Sequence, residues 1–307
     1  MSDAIGNLEI PSWTELDPDV REEWSPHIEQ LVPAPPLLTE FAGPHLTLEE
    51  FDARSLADKV SHDAVLGARL LATANSARFG LVKPMTSIQR AMVHLGFNLV
   101  KSVIISYVLE HHFGQPLPLA EEHVGYVRRW SSGASVVAFR WGQAVDLPDP
   151  STVATVALLA RVGTLLLGLG TPPLGDDYRQ LPTELQRLEY EQGRWQVSSP
   201  VLSAELVRRW GLPGLVPELV GRSWEPVVRL MEPDPLDPYV RPVCLVTGSL
   251  VLTEHYMRQP EGSPSDYLAD DDYGLLRVNL ERHRLIEPLR ELWHSARLQR
   301  ELAALVD

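Results

Sequence analysis

Along most of this chain apolar residues recur three and four positions apart, the period of a helix that buries one face. In "LTLEEFDARSLADKV" the stripe is Leu48, Phe51, Leu56 and Val60, and Thr47 with Glu50 three residues on forms a capping box. "SHDAVLGARLLATANS" follows, with Ser61 or Asp63 as cap and Val65, Leu66, Leu70 and Ala74 facing inward. "MTSIQRAMVHLG" predicts a third helix, capped by Thr86 with Gln89, its stripe running through Ile88, Ala91, Met92, Leu95 and Leu99. "DPSTVATVALLARVG" starts at Asp149 with Pro150 in the first turn, where proline costs least. "SPVLSAELVRRWGLP" starts at Ser199 and stops at Gly211 before Pro213, with Leu202, Leu206 and Trp210 as its stripe. "VCLVTGSLVLTEHYM" and "LIEPLRELWHSARLQRELAALV" read as further helices, the latter with Leu289, Leu292, Trp293, Ala296 and Leu302 on one side. Alternating strand patterns bounded by hairpin turns are missing, so the pattern predicts an all-α protein.

Proline separates these segments. Proline is abundant at 26, and it clusters in "LVPAPPLL", "GQPLPLAE", "LMEPDPLDPY" and "QPEGSPSD", ten of the 26 between them, which read as helix boundaries because apolar residues interrupt them. The most apolar stretch, "TVATVALLARVGTLLLGLG" (152–170), carries Arg161 at its middle and is too short and too charged for a membrane span. It reads as a buried helix, and no membrane insertion is expected. A hydrophobic content of 44% in 307 residues allows a large core. One cysteine, Cys244, excludes an internal disulfide and a Cys-rich zinc site, which with the lack of a signal pattern points to the cytoplasm. The net charge of −14 disfavours nucleic acid as a partner. The basic stretch "RVNLERHRLIEPLR" (277–290) reads as a solvated helix face. "ADDDYG" (269–274) lacks the alternating ligand pattern of a calcium loop and reads as a solvated acidic turn.

The stretch "LLATANSARFG" (70–80) ends an apolar helix on Asn75-Ser76, residues whose side chains compete for backbone groups. With Phe79 and Gly80 they predict a tight polar corner between two packed helices. "LVPAPPLL", then "SLADKVSHDAVLGARLLATANSARFG", then "MTSIQRAMVHLG" resembles the HDOD domain of bacterial signalling proteins. That family shares a Leu-Pro-x-x-Pro start, an Ala-Asn-Ser-Ala-x-Phe-Gly corner and an Ile-x-x-Ala-Ile-x-x-Leu-Gly helix in this order. The likeness continues more weakly through "WGLP" at 210–213 and covers residues 31–230. Ala64 departs from it, standing where the family usually has proline. The resemblance implies a multi-helix bundle with an N-terminal helical subdomain packed on a degenerate HD-like helical core. The expected division is an extension (1–30), the HDOD-like domain (31–235) and C-terminal helices packed on the core (236–307). Residues 1–30 read as one added helix or a dimer contact.

HDOD domains are relatives of HD-type metal-dependent phosphohydrolases, whose chemistry needs a first His, a later adjacent His-Asp pair and further ligands. Imidazole and carboxylate hold the divalent ions, which polarise the phosphoryl oxygen and activate water. Carried onto this chain, the resemblance puts the first His near Gly133 in "WSSGASVVA" and the His-Asp pair at Ala160-Arg161. A further His maps near Ser199, and a later histidine pair near Ser223-Trp224. None of these is a ligand, and no histidine lies between His123 and His255. His111 and His112 are adjacent, so on a helix they diverge by about 100° and do not share one ion. His94 reads as a packed or hydrogen-bonded residue rather than a ligand. No metal and no cofactor are expected. The small residues 131–135 read as a close helix contact, or as the space left by a metal cluster. Arg161, a cation on an apolar helix, must find a counter-ion. A salt bridge is the first reading, and contact with an anion or nucleotide phosphate is the second. With no G-x-S-x-G, Walker A or dinucleotide fingerprint either, the expectation is a non-catalytic signalling module that binds a protein such as a diguanylate cyclase or a kinase. The alternative is a sensor holding a nucleotide or cyclic dinucleotide in the degenerate pocket.

Overall fold

The computed structural model describes residues 8–31, 64–75, 85–96, 99–100, 103–104, 107, 121–171, 174–212 and 215–306. These residues form helices and a 3-10 turn, with no strand among them. The one bridge is the isolated pair Asp234 and Asp237. The capping box Thr47–Glu50 and the corner residues Ser76, Phe79 and Gly80 lie outside the described residues, as do His111 and His112.

Helix α1 (Pro18–Glu29) is capped by Asp17, which accepts from the Asp19 amide, and buries Val20, Trp24 and Ile28. A pair of packed helices follows, α2 (Ala64–Ala74) and α3 (Ile88–Leu95). Leu66, Leu70 and Ala74 of α2, and Ala91, Met92 and Leu95 of α3, are buried, as the 3.6-residue period requires. The cap of α3 is Ser87, whose hydroxyl accepts from the Arg90 amide, and not Thr86.

The core is built around the long helix α4 (Glu121–Ala144). Against it pack α5 (Pro150–Leu159), the short α6 (Gly163–Leu167) and the C-terminal α12 (Val240–Arg258), α15 (Ile286–Trp293) and α16 (Ala296–Val306). The indole N–H of Trp130 on α4 donates to Leu250 O at 2.8 Å, and that of Trp141 to Leu285 O at 2.9 Å. Arg140 of α4 pairs with Glu301 of α16. The C-terminal helices therefore share one core with the rest of the chain.

Between these lie α7 (Asp176–Gln180), α8 (Glu184–Trp195), α9 (Ser199–Arg209), α10 (Leu215–Gly221) and α11 (Glu225–Val228). α13 (Pro264–Tyr267), a 3-10 turn (Asp271–Tyr273) and α14 (Gly274–Arg282) follow α12. α9 ends where Gly211 takes a left-handed φ of 73°, and it packs on α6 and α10.

Three sequence expectations are corrected by breaks in helices. The stretch 152–170 is two helices, α5 and α6, parted by a turn at Ala160–Val162. The stretch 277–290 is also broken, with Arg284 at φ 56° between α14 and α15. Its inner face is buried through Asn279, Leu280, Leu285 and Leu289. The final segment splits into α15 and α16 at His294–Ser295. The acidic turn at 270–272 is only partly solvated: Asp272 accepts from Thr183 at 2.6 Å and Gln186 at 3.0 Å, and Tyr273 is buried.

Candidate functional site

Asp149 caps α5 by accepting from the Thr152 amide at 3.0 Å, with Pro150 in the first turn. The helix is apolar on all sides and so lies buried. It stops at Ala160 because Ser203 of α9 inserts into the ladder. The Ser203 hydroxyl donates to Ala160 O at 3.0 Å and accepts from the Gly163 amide at 2.7 Å. Such close approach needs glycine: a Cβ on Gly163 would lie 2.6 Å from Ser203 N and against Ser199 O. The break sets the direction of Arg161.

Arg161 is 1% exposed. Its guanidinium pairs with Glu184, reaches the Ser199 hydroxyl at 3.4 Å and lies 5.3 Å from the Trp130 ring centre. Arg187 lies over the same ring at 5.4 Å and forks onto both oxygens of Glu254. Glu254 also accepts from the Tyr126 hydroxyl at 2.7 Å and from Arg258 at 2.8 Å. Glu191, fully buried, accepts from the Tyr178 hydroxyl at 2.5 Å and the Ser199 amide at 2.6 Å. The Glu184 amide donates to the Tyr273 hydroxyl at 3.2 Å, and His255 Nε2 lies 3.3 Å from that same oxygen. Arg161 and Arg187 thus share one indole face region and pair with Glu184 and Glu254, while the third carboxylate, Glu191, is held by neutral donors.

The protonation tendencies follow. Burial raises the Glu184 carboxyl from 4.5 to about 7, against the pull of Arg161 and Arg187 and with the push of Glu191 and Glu254. Burial also raises Glu191. Burial opposes ionisation of Glu254 too, but Arg187 and Arg258 outweigh it and hold the carboxyl below its ordinary value. Burial lowers His255, favouring the neutral ring beside Tyr273.

The positions singled out in the sequence lie in three places. Ala160, Arg161 and Ser199 are together at the break, and Ser199 holds both Arg161 and Glu191. Gly133, one turn from Trp130, faces α12: a Cβ there would lie 2.5 Å from the Thr253 methyl. α12 lies directly against this stripe of small residues. Ser223 is buried, its carbonyl accepting from Thr247 at 2.8 Å, while Trp224 lines a separate groove with Arg208 and Arg222. Asn75 ends α2, and its amide forks onto the backbone of Met85. It donates to Met85 O at 2.8 Å and accepts from Met85 N at 2.6 Å. Asn75 thus clamps the end of α2 to the residue that leads into α3.

Sequence reasoning missed Glu184, Arg187, Glu191 and Glu254. The signal was present in "ELQRLEYEQGRW", where charges at i, i+3 and i+7 share a face with Leu188 and Trp195.

The family model of the HDOD domain matches residues 33–226. The chain belongs to the HDOD family. Solved structures show the same fold for this HDOD chain. An HDOD domain protein of unknown function from Geobacter sulfurreducens is 18% identical with a TM-score of 0.51, over 94% of this chain and 93% of that one. A Shewanella amazonensis SB2B protein named as a presumed phosphohydrolase is 16% identical with a TM-score of 0.61, over 92% and 98%. A Marinobacter aquaeolei VT8 protein named as a presumed signal transduction protein is 17% identical with a TM-score of 0.55, over 95% and 68%. No curated protein matches the chain.

The HD relatives of HDOD domains use divalent metal, and the residues here do not fit one. The mapped ligand positions hold a glycine, an alanine, an arginine, serines and a tryptophan. A guanidinium has no lone pair to give a cation. Among the described residues no three His, Cys, Asp or Glu side chains converge to hold a metal ion. No helix among them is long and apolar enough to cross a membrane.

Proposed function

We propose that this HDOD protein is a non-catalytic signalling module that acts by binding another protein. The observation that carries the reading is the charge network around Trp130. A hydrolytic metal centre is open to substrate and rich in neutral imidazole and carboxylate ligands. Here Ala160, Arg161 and Ser199 sit beside arginines paired with buried glutamates, with Arg161 closed off from solvent. A signalling protein such as a diguanylate cyclase or a kinase is the class of partner that the family resemblance implies.

The alternative is a nucleotide or cyclic dinucleotide held by Arg161. It has less support, because that guanidinium is already paired with Glu184 and packed on Trp130. A phosphodiesterase assay with a generic chromogenic diester, run with manganese, iron(II) and nickel, tests the reading. No metal-dependent turnover is expected. Turnover that rises with metal and is lost on chelation overturns it.

A further inference from the structure

A cavity of about 580 Å³ opens between the segment before α1 and the corner formed by α9, α10 and α11. That volume is within the range of small-molecule sites. Its floor is apolar, from Ile10, Val201, Ala204 and Pro217. Two half-buried indoles, Trp13 and Trp224, line it. Arg209, itself held by Glu205 at 2.8 Å, lies 5.8 Å from the Trp13 ring centre.

Three arginines line the same cavity, and they are not equivalent. Arg222 is spent: it bonds Glu225 at 3.2 Å and forks onto Asp237 at 3.2 and 2.7 Å. Arg208 and Arg229 each pair with one carboxylate, Glu205 at 2.5 Å and Glu225 at 2.7 Å. Their side chains are 54% and 56% exposed, which leaves further N–H groups of each fork for a ligand. The carboxylates of the lining are Glu15, Glu218 and Glu225. Glu15 accepts from the Ser12 amide at 2.9 Å and hydroxyl at 2.7 Å, Glu225 holds Arg222 and Arg229, and Glu218 lies 3.9 Å from Arg222. Three cations therefore face three anions, and the whole chain carries −14. Such a lining does not concentrate polyanions, but it suits a ligand with one small anionic group and a flat ring. Guanidinium forks match a phosphate, and indole faces match a base.

We propose that this groove binds a nucleoside monophosphate, with the base against Trp13 and Trp224 and the phosphate on Arg208 and Arg229. The site goes beyond the reading of the chain as a metal-free interaction module, and gives it a ligand input. Its outer wall, residues 10–15, lies outside the stretch matched by the HDOD family, while Arg208 and Trp224 lie within 33–226 and Arg229 follows just past it.

The test is isothermal titration of the full chain with GMP, AMP, guanosine and ribose 5-phosphate as probes. The expected result is that a nucleoside monophosphate binds more than about tenfold tighter than guanosine or ribose 5-phosphate. The Arg208→Ala/Arg229→Ala double variant should lose at least about tenfold in that affinity. Its melting curve should stay close to wild type, because Glu205 keeps its pair with Arg209 and Glu225 its pair with Arg222. Trp13→Ala, on the other wall, should weaken binding as well. No binding of either nucleotide at about millimolar concentration, guanosine binding as tightly as GMP, or unchanged affinity in the double variant each overturns the proposal.

Discussion

Arg161 shows what decides a buried charge. Its apolar helix gives it no partner, so its state is set by Glu184, 23 residues on. Arg187 depends in the same way on Glu254, 67 residues away. Removing one member of a buried pair leaves the other uncompensated, at a cost of about 3–5 kcal/mol. Glu254→Gln should lose about that much in urea unfolding, since both Arg187 and Arg258 are held by Glu254, and a loss under about 1 kcal/mol contradicts the network. Glu184 behaves differently with pH. Its folded pKa is raised, so its contribution is fully present below 4.5 and is lost as pH rises through about 7. Glu254 has the opposite sign: its contribution is present above 4.5 and is lost as pH falls through its lowered folded value. Relative to a Glu184→Gln variant, wild type should therefore lose stability between pH 5 and pH 8, read from urea midpoints. A relative gain contradicts the burial of that carboxyl. At this scale the sequence exposes the oddity of Arg161 and of Asn75, because both break a local pattern. It hides Glu184, Arg187 and Glu191, because a charged i, i+3, i+7 face reads as solvated until Glu254 and Trp130 are brought to it.

Elements were legible where one face is apolar and a cap is distinct. Asp149 with Pro150 fixes the start of α5, and Gly211 the end of α9. The break between α5 and α6 was not legible. From Val153 to Leu167 most residues are apolar, so no moment marks a face, and Gly163 alone does not mark a break, since a lone glycine is tolerated inside a helix. The cause is a tertiary one, the hydroxyl of Ser203 inserted from α9. Gly163→Ala tests this. Its methyl would press on the backbone of Ser199 and Ser203, and overpacking of this kind costs about 1–3 kcal/mol. A lowered melting temperature is expected. A variant as stable as wild type would mean that α9 does not sit on α6 as described. At the splits at 283–285 and 294–295 the apolar stripe continues, with Leu280, Leu289, Trp293, Leu298 and Leu302 buried on either side of the turns.

The whole molecule joins segments that differ in their relation to the family. The all-α class and HDOD membership were readable from ordered motifs near the N-terminal end of the match. The packing around Trp130 was not, because part of it comes from α12, beyond residue 226. Thr253 packs on Gly133, Leu250 accepts from Trp130, and Glu254 neutralises Arg187. The C-terminal helices thus complete the charge network as well as the core. The account as a whole rests on that network standing in place of a metal centre. The measurement that tests it most directly is the metal content per chain, by elemental analysis of protein purified without chelator or metal-affinity resin. The account predicts less than about 0.1 equivalent of any transition metal, because the groups at these positions are not ligands. Manganese, iron, zinc or nickel near one equivalent per chain would contradict it.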